Sequence, residues 1–171
     1  IIPCIADAIQ GIFSKVIVVG ANKQYELHYL SEKFYQKYNV TNYPEIEKKS
    51  SRPYIVLLFQ IKNNTFALPF RTNIRHTNCY KFRQTSRNTD SATGIDFSKA
   101  VIINDEEYIG DFATIDEKEY VELNDRFFFI QKKFQTYLEG YCKFANGKGN
   151  EYQSRKYIFT TLKYFHDELG I

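Results

Sequence analysis

The sequence predicts an α+β fold: an antiparallel sheet with helices packed around it. Three observations carry this. Two apolar runs, at residues 54–61 and 65–70, are joined by a polar turn. Apolar side chains recur at helical spacing in the last third of the chain. The order is strands first and helices afterwards, which segregates the two kinds of element instead of alternating them. At 171 residues the chain is long enough for one domain with a substantial core.

The elements follow in order. Residues 1–22 are largely apolar, but Asp7, Gln10 and Lys15 interrupt them. Those groups make a bilayer span costly, and a basic start typical of a secretory signal is missing. An extension packed on the domain is expected there, ahead of a single domain at 23–171. Tyr25 to Tyr29 reads as a strand. Ser31 then caps a short helix bearing Phe34, Tyr35 and Tyr38. Residues 39–51 form a polar loop. Tyr54–Ile61 is β-branched and aromatic, Lys62-Asn63-Asn64 is a turn signal because Asn tolerates positive φ, and Thr65–Phe70 returns. Residues 78–93 read as a loop or ragged strands, followed by a strand at Ala100–Ile103 and a short one near Tyr108-Ile109-Gly110. Thr114 and Glu117 fit a capping box. Phe127, Ile130, Phe134, Tyr137 or Leu138, and Tyr141 then lie on one helical face, read as core. Residues 146–150 break that helix, and a last helix is expected over about Ser154 to Leu169.

Charge divides the middle of the chain into two blocks. Between Glu47 and Asp90 there is no Asp or Glu, while that segment holds Lys48, Lys49, Arg52, Lys62, Arg71, Arg75, Lys81, Arg83 and Arg87. Asp90 to Asp125 then has eleven acids against Lys99 and Lys118. The formal net charge of +3 hides this contrast. Cations interleaved with Tyr54, Tyr80 and Phe82 suit a polyanion carrying stackable bases, RNA or single-stranded DNA. The competing explanation is that the cations pair with the acidic block across the fold. Three scattered cysteines argue against a disulfide framework and for a reducing compartment. The three histidines show no ligand spacing, and no phosphate-loop, dinucleotide or nucleophile-elbow motif is present.

The chain leaves the apolar hairpin at Arg71-Thr72-Asn73-Ile74-Arg75-His76, where five of six side chains are polar. Polar groups delivered by a rigid hairpin are the natural place for chemistry. Cleaving RNA without a metal requires a base for the 2′-hydroxyl, cations for the phosphate and an acid for the leaving 5′-oxygen. Arg52, Arg71, Arg75 and Lys99 can supply the cations, Thr72 a hydroxyl to a phosphoryl oxygen, and His76 a titrating group. Lys48, Lys49, Tyr54, Asn73, Tyr80, Lys81, Arg83 and Ser98 are the expected RNA contacts. Asp96 reads as a turn residue. A base is not assigned.

Four segments together resemble one family. They are Arg52-Pro-Tyr-Ile-Val-Leu-Leu, Phe66-Ala-Leu-Pro-Phe-Arg-Thr-Asn-Ile-Arg-His76, Gly94-Ile-Asp-Phe-Ser-Lys-Ala-Val-Ile-Ile103 and Thr161-Leu-Lys-Tyr-Phe165. They look like the toxins of type III toxin–antitoxin systems, the AbiQ, ToxN, TenpN and CptN group, over about residues 25–169. The resemblance implies a strongly twisted, barrel-like antiparallel sheet surrounded by helices. It implies a metal-independent, cofactor-free endoribonuclease that leaves a 2′,3′-cyclic phosphate and acts in the bacterial cytoplasm, with no membrane partner. It implies an inhibitory antitoxin RNA, a repeat-derived pseudoknot that the toxin cuts from its precursor and holds in a closed assembly, with cellular or phage RNA as further substrate. The family's catalytic hydroxyl falls on Thr72, where many relatives carry Ser. Its cationic position before the first hairpin strand falls on Arg52; Arg71, Arg75, His76, Ser98 and Lys99 match its motifs. A non-catalytic RNA-binding module using the same basic face is the alternative.

Overall fold

A computed structural model describes residues 24–48, 54–87 and 92–171. The expected N-terminal extension, Lys49 and Arg52 lie outside the described residues.

Strand β1 is Glu26–Leu30 and helix α1 is Glu32–Lys37. Ser31 caps α1 as the sequence predicts, its hydroxyl accepting from the Phe34 N–H at 3.3 Å. Strands β2, Ile55–Ile61, and β3, Asn64–Arg71, form the hairpin. Its turn is Lys62-Asn63, and the positive φ expected of an Asn falls on Lys62, at 54°. Strands β4, Cys79–Lys81, and β5, Gly94–Asp96, are three residues each. A 3₁₀ turn, Phe97–Lys99, separates β5 from β6, Val101–Ile103. Strand β7 is Ile109–Phe112.

These strands form one antiparallel sheet in the order β4-β5-β3-β2-β1-β7, with β6 also on β3. Among the described strands the sheet is open, ending at β4 and β7, so the barrel-like closure is not part of this architecture. β3 organises it. One edge pairs with β2 along its length. The other edge is shared: Thr65–Ala67 pair with β6, and Phe70 and Arg71 with β5. Residues 68 and 69 face the gap where the chain steps out at Phe97–Lys99. A proline inside a central strand normally breaks a ladder. Pro69 is opposite Val56 of β2, and on its other edge it sits at this gap, where neither β5 nor β6 pairs with it.

Helix α2, Glu117–Lys143, covers one face of the sheet. Phe134 meets Phe66 at 5.2 Å and Phe97 at 5.7 Å between ring centroids, and Phe127 meets Phe59 at 5.7 Å. The predicted stripe Phe127, Ile130, Phe134, Tyr137, Leu138 and Tyr141 is all buried. The helix is capped by Asp116, which accepts from the N–H groups of Lys118 and Glu119, and not by Thr114. Two-residue alternation sends Ala67, Pro69 and Arg71 to the opposite face, under α1. Both faces are therefore covered, which is why residues 66–70 read as a continuous apolar run.

The expected last helix is three pieces: α3, Glu151–Tyr157, a 3₁₀ turn Thr161–Tyr164, and α4, His166–Leu169. Thr160 leaves the helical conformation and its side chain accepts from the Leu162 N–H. Thr161 donates to the carbonyls of Ala100 and Ser98, which ties this segment to the step between β5 and β6. Ile158, just before the break, is 58% exposed.

Candidate functional site

Two motifs that lie 25 residues apart in sequence meet here because β5 pairs with the end of β3. On its other edge β5 approaches β4 closely at Gly94, where a Cβ would lie 2.0 Å from the Tyr80 carbonyl oxygen. Two residues on, Asp96 is 1% exposed. Oδ1 accepts from the Ser98 N–H at 2.9 Å and the Ser98 hydroxyl at 2.7 Å. Oδ2 accepts from Arg71 Nη1 at 3.2 Å and from His76 Nε2 at 3.3 Å. Four donors therefore surround one buried carboxylate, which is how a buried charge becomes tolerable.

The turn reading of Asp96 describes Oδ1, which builds the bend through Ser98. It misses Oδ2, which holds two candidate site residues in place. An Asp two residues before a Ser, at the end of a short apolar run, is the local signal for such a bend. Nothing in the sequence points that same carboxylate at residues 71 and 76.

Arg71 is clamped on both sides. Its Nη2 donates to Glu47 Oε2 at 3.2 Å, and its guanidinium carbon lies 5.7 Å from the Tyr54 ring centroid. Tyr54 donates to the same Glu47 oxygen at 3.2 Å. Glu47 was missed by sequence reasoning. Its only signal was being the last acid before the long basic stretch.

Lys99 leaves the 3₁₀ turn toward the same face. Its ammonium donates to the Glu45 carbonyl at 3.1 Å and the Phe159 carbonyl at 3.4 Å. Burial pushes its pKa below the ordinary lysine value, and Arg71 adds to that; the Glu47, Asp96 and Glu45 charges oppose it. Arg71, Lys99, Glu45, Glu47, Tyr54 and Thr161 line a small pocket of about 40 Å³, floored by Val56, Ala67, Pro69 and Val101.

The chain turns away from the sheet just past Arg71. Thr72 is half-buried and Asn73 takes a left-handed φ of 61°, a conformation that Asn accepts more readily than most residues. Asn73, Arg75 and His76 are exposed. Among the described residues Arg75, Lys81 and Arg83 form no ion pair.

Other expected contacts lie elsewhere or are already engaged. Lys48 pairs with Glu32 at 2.6 Å and lies 5.5 Å from the Tyr35 ring. Tyr80 is 6% exposed and donates to Glu122 at 2.6 Å, so its ring is packed and not offered to a base. Ser98 is buried, and its hydroxyl is spent on Asp96. The pairing of cations with acids that competed with the RNA reading holds for Arg71 with Asp96 and Arg87 with Glu119, and among the described residues gives Arg75, Lys81 and Arg83 no ion pair.

Chemically the arrangement offers a forked cation beside an oriented imidazole. Because a carboxylate only accepts, His76 Nε2 carries the hydrogen and Nδ1 is left for another partner. Among the described residues no group of three or more His, Cys, Asp or Glu side chains is arranged as metal ligands, and no helix is long and apolar enough to cross a membrane. No protein-family model, curated protein or solved structure matches the chain.

Proposed function

We propose that this chain is a metal-independent endoribonuclease, the toxin of a type III toxin–antitoxin system. Its partner in this reading is a repeat-derived antitoxin RNA, cut from a precursor by the toxin and retained as inhibitor. Its other substrates are cellular or phage RNA in a bacterial cytoplasm, and the biological outcome is abortive infection. The observation that carries the reading is the meeting of Arg71 and His76 on buried Asp96, with Lys99 near enough to feel the charges of Arg71 and Asp96 and Thr72 following Arg71 in the chain. The motif resemblance supplies the family.

The reaction is transesterification. The 2′-oxygen attacks the adjacent phosphorus, the bond to the 5′-oxygen breaks, and a 2′,3′-cyclic phosphate and a 5′-hydroxyl result. Arg71 and Arg75 stabilise charge on the non-bridging oxygens as it develops. Thr72 donates to one of those oxygens. His76, as an imidazolium held by Asp96, gives the Nδ1 proton to the leaving oxygen. Lys99 adds a further cation on the same face, held by the Glu45 and Phe159 carbonyls.

The test uses purified protein free of RNA, a mixed-sequence oligoribonucleotide and EDTA. Cuts ending in cyclic phosphate, absent when the 2′-hydroxyl is replaced by hydrogen, support the enzyme. Thr72→Ala is expected to lose cleavage by about 10²-fold or more while RNA affinity changes little. Retained binding by folded protein with no cutting would leave the alternative, an RNA-binding module that uses Arg75, Lys81 and Arg83.

A further inference from the structure

The geometry points to Glu47 as the general base of this cleavage, with His76 as the acid; the inference rests on the ribonuclease reading above. The two groups stand on either side of one guanidinium. Glu47 Oε2 lies 3.2 Å from Arg71 Nη2, and the other arm of the fork, Nη1, lies 3.2 Å from Asp96 Oδ2, which holds His76 Nε2 at 3.3 Å. An in-line displacement needs its base and its acid on opposite sides of the phosphorus, with positive charge between them. The row Glu47–Arg71–Asp96–His76 supplies that order.

Exposure separates the two carboxylates that share Arg71. The Asp96 side chain is 1% exposed and the Glu47 side chain 48%. Asp96 is enclosed by four protein donors and cannot meet a ribose. Glu47 accepts from Arg71 and Tyr54 through the same oxygen, Oε2, which among the described residues leaves Oε1 for an incoming hydroxyl. Among the described residues the charged and titratable groups around it are Arg71 from β3, Tyr54 before β2, and Lys99 and Glu45, which line the same pocket; Asp96 lies on the far arm of Arg71.

The step balances. Glu47 takes the 2′-hydroxyl proton as the oxygen–phosphorus bond forms. The phosphorus–5′-oxygen bond breaks, and that oxygen takes the Nδ1 proton of His76. The products are the cyclic phosphate and the 5′-hydroxyl. Glu47 is then protonated and His76 neutral, and exchange with water resets both.

The experiment compares wild type, Glu47→Gln, Glu47→Asp and His76→Ala in EDTA on one oligoribonucleotide. It repeats the comparison on the same RNA carrying sulfur in place of the bridging 5′-oxygen at one scissile phosphate. A thiolate leaves without protonation, so that substrate needs a base and no acid. Glu47→Gln is expected to lower kcat by about 10²- to 10⁴-fold on both substrates, with KM unchanged or lower because a negative charge is gone. The pH–rate profile of Glu47→Gln should lose its acidic limb, and Glu47→Asp should keep part of the activity. His76→Ala should be slow on ordinary RNA and restored on the sulfur substrate. Full activity of Glu47→Gln overturns the assignment, and so does rescue of that variant by sulfur. A faster Glu47→Gln also overturns it, because Glu47 would then be a competitor for Arg71. If wild type itself makes no cyclic-phosphate ends, the ribonuclease reading falls first and the base with it.

Discussion

Asp96 and Glu119 are both buried carboxylates that grip an arginine, and they do so to different ends. Asp96 is 1% exposed and has both oxygens occupied by donors from three separate positions, Arg71, His76 and Ser98. Glu119 is fully buried on α2; its Oε2 accepts from Arg87 at 2.6 Å, while its Oε1 has no hydrogen-bond partner among the described residues. Around Glu119, Asp116 accepts from the Ser86 N–H and Glu122 from the Arg83 N–H, so this end of α2 anchors the 83–87 loop. One region converges side chains from separate parts of the chain on one carboxylate and leaves His76 exposed. The other fastens a loop to a helix. The arginines do not separate the two, since Arg87 is as open as Arg71; what differs is that Asp96 also holds an exposed, titratable imidazole, the kind of partner that makes a buried charge a candidate for chemistry.

Substituting the two acids tests that distinction. Asp96→Asn keeps the shape but offers one acceptor oxygen to four donors. It is expected to cost about 3 kcal/mol of stability, the scale for removing one member of a buried ion pair, and to abolish RNA cleavage. Glu119→Gln retains an acceptor for Arg87 and changes an oxygen that was unpartnered already. Its expected cost is about 1 kcal/mol, with cleavage retained. Urea unfolding of both variants beside wild type measures the difference. Equal losses would show that the satisfied and half-satisfied carboxylates do the same structural work.

Lys99 sharpens the comparison through pH. Its pKa is lowered in the folded state, chiefly by burial, from the ordinary 10.5. Between the lowered value and 10.5 the unfolded chain binds more protons than the folded one, so stability rises with pH across that window. Above it the contribution is complete, and it is lost as pH falls through the folded value. Lys99→Met should flatten this rise, while Lys118→Met, on α2 beside Glu119, should leave it unchanged. Thermal melts from neutral pH up to about 10.5 read the effect.

How far the sequence foretold all this depends on range. The hairpin, the α1 cap and the buried α2 stripe were legible because each rests on contacts within a few residues or on a single periodicity. β5 was hidden: three residues, Gly94–Asp96, carry too little pattern, and their strand state comes from pairing with β3 and β4. The break at Thr160 was hidden because its helical spacing was intact. What ends the helix is side-chain bonding, Thr160 to Leu162 nearby and Thr161 to Ala100 across the fold. Of the site, Arg71, Thr72, His76 and Lys99 were visible as cations and a hydroxyl at the end of a strand. Asp96 and Glu47 were not, because an acid's importance here lies in which distant cation it faces.

Two arginines, one from each region, give the smallest and most discriminating measurement. Arg75 is exposed, lies one residue before Asp96's partner His76, and forms no ion pair among the described residues. Arg87 is neutralised by buried Glu119. A cation that neutralises a phosphate releases counterions, and each lost contact to a single strand lowers the slope of log affinity against log salt by about 0.7. Arg75→Ala should therefore reduce the slope for a non-cleavable 2′-deoxy oligonucleotide by about 0.7, and Arg87→Ala should leave it near the wild-type value. Binding isotherms at four salt concentrations are enough to resolve this. An equal drop for Arg87→Ala would mean that its pair with Glu119 opens when nucleic acid binds, which would move the 83–87 loop from fastening to recognition.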